Sequence, residues 1–168
     1  MRAVIAHISF ISSTLRFNFQ KAFNVKKFAT LLTTMMLATG VFAAEHQIKM
    51  VNSGKDGIMA FEPGFVQAAK GDTVKFIKTD PSHNSSSFFT PKGATAWKGK
   101  MDEEIVVKLD AEGVYMYQCD PHKSMAMVGV IQVGKPANLE DAKKEAANFS
   151  KTLAMNKDRL TKYVDQAK

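Results

Sequence analysis

The sequence predicts an all-β domain, a sandwich or barrel of short antiparallel strands, closed by two short α-helices at the C-terminus. Three observations carry that reading. Between Glu45 and Gly134, apolar residues recur with period two in short runs rich in Val, Ile, Phe and Tyr, the pattern of half-buried strands. Clusters of Gly, Pro, Asn, Asp and Ser punctuate those runs, as tight connections require. After Pro136 the composition switches to Ala, Lys, Leu and Glu, with no further glycine or proline, and these are good helix formers.

The first recognisable segment is a leader. Lys26 and Lys27 precede a mostly apolar run from Phe28 to Phe42, and small residues follow, the three-part pattern of a secretory signal peptide. Its 15 residues reach roughly 22 Å as a helix, short of a roughly 30 Å hydrocarbon core. A cleaved leader is therefore expected, cut after Ala43 or after Ala44, with Met1–Gln20 an unusually long lead. The domain boundaries expected are 1–43 for the leader and 44–168 for one folded domain, with 137–168 as its helical extension.

Within the domain, "HQIKMVN" (46–52) alternates through Ile48 and Met50, and "TVKFIKT" (73–79) sets Val74 and Phe76 against Thr73 and Lys75. "EIVVKLD" (104–110) aligns Ile105, Val107 and Leu109, while "VYMYQC" (114–119) and "VGVIQV" (128–133) supply the last two strands. The turns fall at "NSGKDG", "AKGD", "DPSHN", "TPKG" and "DAEG". In the tail, Leu139, Ala142 and Ala146 share one helical face, and Leu153, Leu160 and Val164 another. A break is expected near Asn148–Ser150 or Asn156.

Charge narrows the function. Removing Met1–Ala43 takes five of the 23 basic residues and none of the 16 acidic ones, so the net charge falls from +7 to about +2. The basic pI belongs largely to the leader. No dense Lys/Arg stripe with interleaved aromatics remains, so nucleic-acid binding loses its support. No stable membrane association is expected after cleavage, and the domain is expected to be a periplasmic monomer.

The chain has one cysteine, so it has no internal disulfide to make in an oxidising compartment. Cys119 opens a Cys-x2-His-x4-Met spacing with His122 and Met127, on a loop between two expected strands. Thiolate, imidazole and thioether form a soft donor set, which selects copper or zinc. A trigonal His2Cys site with a weak axial Met is the blue-copper arrangement, and it needs a second histidine. His83, in the turn after "TVKFIKT", is favoured over His46, which lies beside the expected new terminus where chains fray. Taken singly, each residue has a plainer explanation: a buried thiol, a solvated imidazole, a core methionine. Together they point to copper. Structural zinc prefers four strong N or S ligands, and a Cys–His nucleophile lacks an evident oxyanion loop or orienting third group.

At these residues the chain resembles the pseudoazurins, type 1 blue copper proteins of the cupredoxin family. The resemblance runs from Ala44 to Lys168 and is carried by "GIMAFEPGFVQAAKGDTVKFI", "HN" at 83–84, "CDPHKSMAM" and "VGKPANLEDAKK". It implies an eight-stranded Greek-key β-sandwich with the two helices packed against it. It also implies one copper ion on His83, Cys119, His122 and Met127. By position, Asn84 ties the two ligand loops and donates its backbone N–H toward the cysteine sulfur. Pro121, lacking an N–H, denies that sulfur a second donor, and Met59 packs beside the exposed ligand imidazole.

The function implied is one-electron carriage between redox proteins, cycling Cu(I) and Cu(II), with copper nitrite reductase or another respiratory reductase as a partner. No catalysis is implied. A copper-trafficking or storage protein is the alternative. His122 is the expected exit for the electron, within a docking patch of Pro121, Met125 and Ala126. Lys55, Lys78, Lys98, Lys100 and Lys123 are candidates for a basic rim. Pro81 and Gln118 stand where several members carry lysines, Asp120 adds a negative charge to the ligand loop, and "HNSSSFF" is more polar than the usual continuation.

Overall fold

The computed structural model describes residues 43–168, so the expected leader, apart from Ala43, lies outside the described residues. Eight strands form two four-stranded sheets. They are β1 (Glu45–Gly54), β2 (Gly57–Glu62), β3 (Phe65–Ala68), β4 (Thr73–Lys78), β5 (Ser86–Phe89), β6 (Ile105–Lys108), β7 (Gly113–Gln118) and β8 (Val128–Val133). One sheet has the order β2-β1-β4-β6 and the other β3-β8-β7-β5. A single 3-10 turn, Lys123–Met125, lies between β7 and β8. Helices α1 (Leu139–Ser150) and α2 (Arg159–Val164) follow, with the expected break falling across 151–158.

The expectation of purely antiparallel pairing is corrected: β1 runs parallel to β4, and β3 parallel to β8. The ten-residue β1 is shared, pairing β4 along Glu45–Met50 and β2 along Lys49–Gly54. A parallel neighbour needs a crossover rather than a hairpin. Here the β2–β3 segment carries the chain from one sheet to the other.

Two apolar cores result. Between the sheets, Ile48, Met50, Phe61, Phe76, Trp97, Tyr115, Tyr117 and Ile131 pack together. Tyr117 meets Phe61 and Phe76 edge-on at 4.8 and 4.9 Å between ring centroids, a geometry worth about 0.5–1.5 kcal/mol per pair beyond burial. Behind β7 and β8, Val114, Met116, Val128 and Val130 pack against Ala142, Ala146, Phe149, Leu160 and Val164 of the helices. That is why β7 and β8 read as nearly unbroken apolar runs: alternate side chains enter different cores, and both faces are covered. The Tyr117 ring lies where a Cβ on its cross-strand partner Gly129 would be, so only glycine fits there.

The N-terminal end of β1 is tied down rather than frayed. Asp72, 6 % exposed, accepts from the backbone N–H groups of Ala44 (2.8 Å) and Ala69 (2.9 Å) and lies 2.9 Å from His46 Nε2. Those partners, His46 first, lower the Asp72 carboxyl from 3.8 to about 2. A carboxyl lowered on folding stabilises the fold above its unfolded value and stops doing so as pH falls through the folded one. We expect Asp72→Asn to melt below wild type above pH 3.8, with the gap closing as pH falls through about 2. Thermal melts of both proteins across that range check it; a gap independent of pH would refute the carboxylate's role.

Candidate metal centre

Cys119 follows the last residue of β7 and Met127 precedes the first of β8, so the loop between them grows from adjacent antiparallel strands. Its two ends are stitched together, Cys119 N–H donating to the Met127 carbonyl at 2.9 Å. Inside, the His122 carbonyl accepts from Met125 N–H (3.0 Å) and Met127 N–H (3.2 Å), and the Lys123 carbonyl accepts from Ala126 N–H (3.0 Å). Ala126 closes the turn in the left-handed region at φ 61°. The loop is a backbone-bonded frame, which fixes where its side chains emerge.

His83 arrives from the β4–β5 connection, where the chain passes from one sheet to the other. Its carbonyl accepts from Asp102 N–H at 2.8 Å, and its ring is fully buried. His83 Nε2 lies 3.1 Å from Asn52 Oδ1. An amide oxygen only accepts, so Nε2 carries the proton and Nδ1 presents a lone pair. That Nδ1 lies 3.1 Å from His122 Nδ1 and 3.7 Å from Cys119 Sγ, and His122 Nδ1 is 3.5 Å from the same sulfur. The three donor atoms all lie within 4.8 Å of one another. His46, by contrast, faces Asp72. The preference for His83 over His46 agrees with this geometry.

Asn84 joins the two loops. Its side-chain amide donates to the Gly99 carbonyl (3.1 Å) and to Asp120 Oδ2 (2.9 Å), while its Oδ1 accepts from Asp120 N–H (2.8 Å). Burial, with the neighbouring His122 second, lowers the pKa of His83 and keeps its ring neutral. Burial pushes the Cys119 thiol up, against the backbone amides of Asn84 and then His122, which favour the thiolate.

The donor set fits a soft cation. Two imidazole nitrogens and a thiol sulfur converge in a largely buried site, and a coordinating metal deprotonates such a thiol outright. Met127 is fully buried in the same core cluster as Cys119. His122 alone of the four is partly exposed.

Three sequence expectations change. Ala126 is fully buried against the helices, so it has no place in an exposed docking patch; Pro121 is exposed and Met125 partly so. Asp120 is not a free negative charge: it accepts from Asn84 and from Gln118 Nε2 (3.1 Å), with Lys98 Nζ 3.8 Å away. The polar "HNSSSFF" serves Trp97, whose indole N–H donates to Ser85 Oγ at 3.0 Å, while Ser87 Oγ accepts from Trp97 N–H at 2.9 Å. Of the rim candidates, Lys98 and Lys100 have carboxylate partners, and Lys123 lies over the Phe149 ring at 5.1 Å. Lys55 and Lys78 make no ion pair among the described residues. Two residues escaped the sequence reading: Asn52, which fixes the His83 tautomer, and Arg159, which holds the ligand loop from behind. Nothing in their neighbours along the chain marks either.

Residues 48–134 match the family described as copper binding proteins, plastocyanin/azurin family. A putative pseudoazurin of Rhizobium leguminosarum bv. viciae is 48 % identical over 123 residues, covering 70 % of this chain and 81 % of that one. The chain belongs to the pseudoazurins, within the plastocyanin/azurin family of copper-binding proteins. The pseudoazurin of Paracoccus pantotrophus is 41 % identical over 118 residues, covering 68 % of this chain and 81 % of that one. The crystal structure of native pseudoazurin from Hyphomicrobium denitrificans superposes with a TM-score of 0.67 at 39 % identity, covering 74 % of this chain and 98 % of that one. Copper is accordingly this chain's metal, and the cupredoxin sandwich its fold.

Asn84→Ala would leave the Asp120 N–H and the Gly99 carbonyl without their partner in a nearly closed site. We expect it to destabilise the metal-free protein by about 1–3 kcal/mol, read by urea denaturation. A change within about 0.5 kcal/mol would mean that Asn84 does not hold the loops together.

Proposed function

We propose that the chain is a periplasmic one-electron carrier whose copper is held by His83 Nδ1, Cys119 Sγ, His122 Nδ1 and, weakly, the Met127 thioether. The observation that carries this reading is the convergence of the first three donor atoms within 4.8 Å, from two loops at one end of the sandwich. Bound there, copper would supply a one-electron Cu(I)/Cu(II) couple. The residues' part is rigidity. Asn52 holds His83 in the ligating tautomer, Asn84 locks loop to loop, and the closed Cys119–Met127 frame resists change when charge changes.

The family to which the chain belongs supports carriage rather than catalysis. Full burial of His83, Cys119 and Met127 favours retention of the ion over the exchange that trafficking or storage needs. His122 is the proposed exit because its partly exposed ring is the one ligand within a partner's reach. Pro121 and Met125 border it, and Lys55 and Lys78 are the uncommitted cations that would steer an acidic partner, an effect that salt weakens. The acceptor proposed is a respiratory reductase such as copper nitrite reductase.

Export and cleavage of the leader complete the proposal. The Ala44 nitrogen lies 2.8 Å from Asp72 Oδ1. A cut after Ala43 would turn that amide into an ammonium facing a covered carboxylate, a stronger, charge-assisted bond, whereas a cut after Ala44 would remove the group. No helix among the described residues is long and apolar enough to cross a membrane. Intact mass and N-terminal sequencing of the exported protein should give Ala44 as the first residue; Glu45 would refute this choice.

The ligand assignment is tested by colour. The oxidised, copper-loaded protein should show an intense thiolate charge-transfer band, abolished in Cys119→Ser and retained, with an altered reduction potential, in Met127→Leu. A Cys119→Ser protein that keeps the band would overturn the assignment. Chelator challenge separates carriage from trafficking: copper lost within mixing time would refute retention.

A further inference from the structure

The outer side of the ligand loop is held by the C-terminal extension. The Ser124 carbonyl accepts from Ala154 N–H (2.8 Å) and Met155 N–H (3.4 Å), and Asn156 Nδ2 lies 3.4 Å from the Met125 carbonyl. Arg159 Nη1 donates to the Ala126 carbonyl at 2.8 Å. Three consecutive carbonyls, immediately before Met127, thus find their donors in residues 154–159.

Arg159 does more than close this list. It is 5 % exposed, and the same guanidinium reaches the Met59 carbonyl (2.7 Å), the Asp56 carbonyl (2.8 Å) and the Ile58 carbonyl (3.1 Å) around the start of β2. Among the described residues no carboxylate lies within ion-pair distance of it. A buried guanidinium is costly unless its N–H groups are satisfied, and here carbonyl oxygens from two separate segments satisfy them. An apolar side chain would fill the space without that desolvation cost. What a planar fork of donors adds is geometry: it fixes the hairpin, the loop and the helix to one another. Ala126, whose carbonyl it holds, sits at φ 61°, a conformation that L-residues adopt only when their surroundings impose it. Met127 is the next residue.

We infer that Arg159 is the positioning residue for the Met127 thioether, and that the C-terminal helices serve as a buttress for the ligand loop rather than as packing alone. This rests on the proposed reading of Met127 as the weak ligand. Tyr163, four residues on in α2, ties the helix to the same segment, donating from its hydroxyl to Asp56 Oδ2 at 2.6 Å.

The test is a double-mutant cycle on the copper-loaded protein, with Arg159→Met, Arg159→Lys, Met127→Leu and each Arg159 variant combined with Met127→Leu. Reduction potential and the visible and paramagnetic resonance spectra are read alongside melting temperature. Arg159→Met should shift the potential and the spectra, and those shifts should largely vanish in the Met127→Leu background. In the metal-free protein it should speed amide exchange at Met127 by about tenfold or more. Arg159→Lys, which keeps the charge and loses the fork, should shift the same readouts in the same direction by less. It carries the test if Arg159→Met does not fold. A lower melting temperature with unchanged potential and spectra, for whichever variant folds, would reduce Arg159 to a structural residue. Shifts undiminished in the Met127→Leu background would mean that it acts by another route. Met127→Leu leaving potential and spectra unchanged would instead sink the ligand assignment, and this inference with it.

Discussion

One buried amide governs how the two ends of the site meet. The Asn84 side chain spans from the connection between the sheets to the loop joining β7 and β8, giving two hydrogen bonds and taking one. Without that bridge, His83 and Cys119 would belong to two loops with independent motions, and soft-donor convergence would be a matter of chance encounters. A buried amide that is fully satisfied rigidifies; one left half-satisfied costs more than an apolar side chain would. The surrounding choices follow from keeping it satisfied. Gly99 supplies a carbonyl, Asp120 supplies both an N–H and a carboxylate, and Gln118 and Lys98 occupy what remains of that carboxylate. A negative charge that looks disruptive in the ligand loop is therefore part of the bridge.

The legible part of the fold follows from periodicity. β1, β4 and β6 announce themselves by alternation, β6 within the longer run 104–110, and β7 and β8 by apolar runs covered on both faces. β2, β3 and β5 do not. β3 and β5 have four residues each and no alternating run extends them along the chain, and β2 carries Met59 at φ 47°, which breaks its alternation. Their existence came only with the family resemblance. The sheet pairing was also out of reach. Whether β1 meets β4 in parallel or antiparallel is decided by the crossover through β2 and β3, not by any residue of β1.

The site divides the same way. Cys119 and His122, with Met127 the proposed weak ligand, were readable because the loop between adjacent strands compresses the three side chains into nine residues of sequence. His83 needed an argument by elimination, since its neighbourhood to Cys119 is a property of the sandwich. Asn52 and Arg159 were invisible. Each acts through a contact made across the fold, Asn52 on His83 and Arg159 on the Ala126 carbonyl. An asparagine at a strand end and an arginine at a helix start have commonplace explanations. Short-range chemistry is written locally; the groups that orient it are written by topology.

The two supports act on different parts of the site, Asn52 on the His83 ring and Arg159 on the carbonyl before Met127, and their chemistry differs for a reason. On the His83 side the device is a neutral hydrogen bond to a ring nitrogen, which selects a tautomer and leaves the ring's charge to the metal. On the Met127 side the proposed ligand is a thioether, a weak acceptor with no N–H or O–H of its own, so a hydrogen bond has little hold on it directly. Its position has to be set through the backbone that bears it. A cationic fork engaging the preceding carbonyl is suited to this, and the same fork bonds the hairpin at Asp56, Ile58 and Met59. A weak ligand tolerates displacement more readily than an imidazole or thiolate does, because little bond energy resists it. It is therefore the ligand whose placement depends most on the protein, and the one on which a long C-terminal extension has the most leverage.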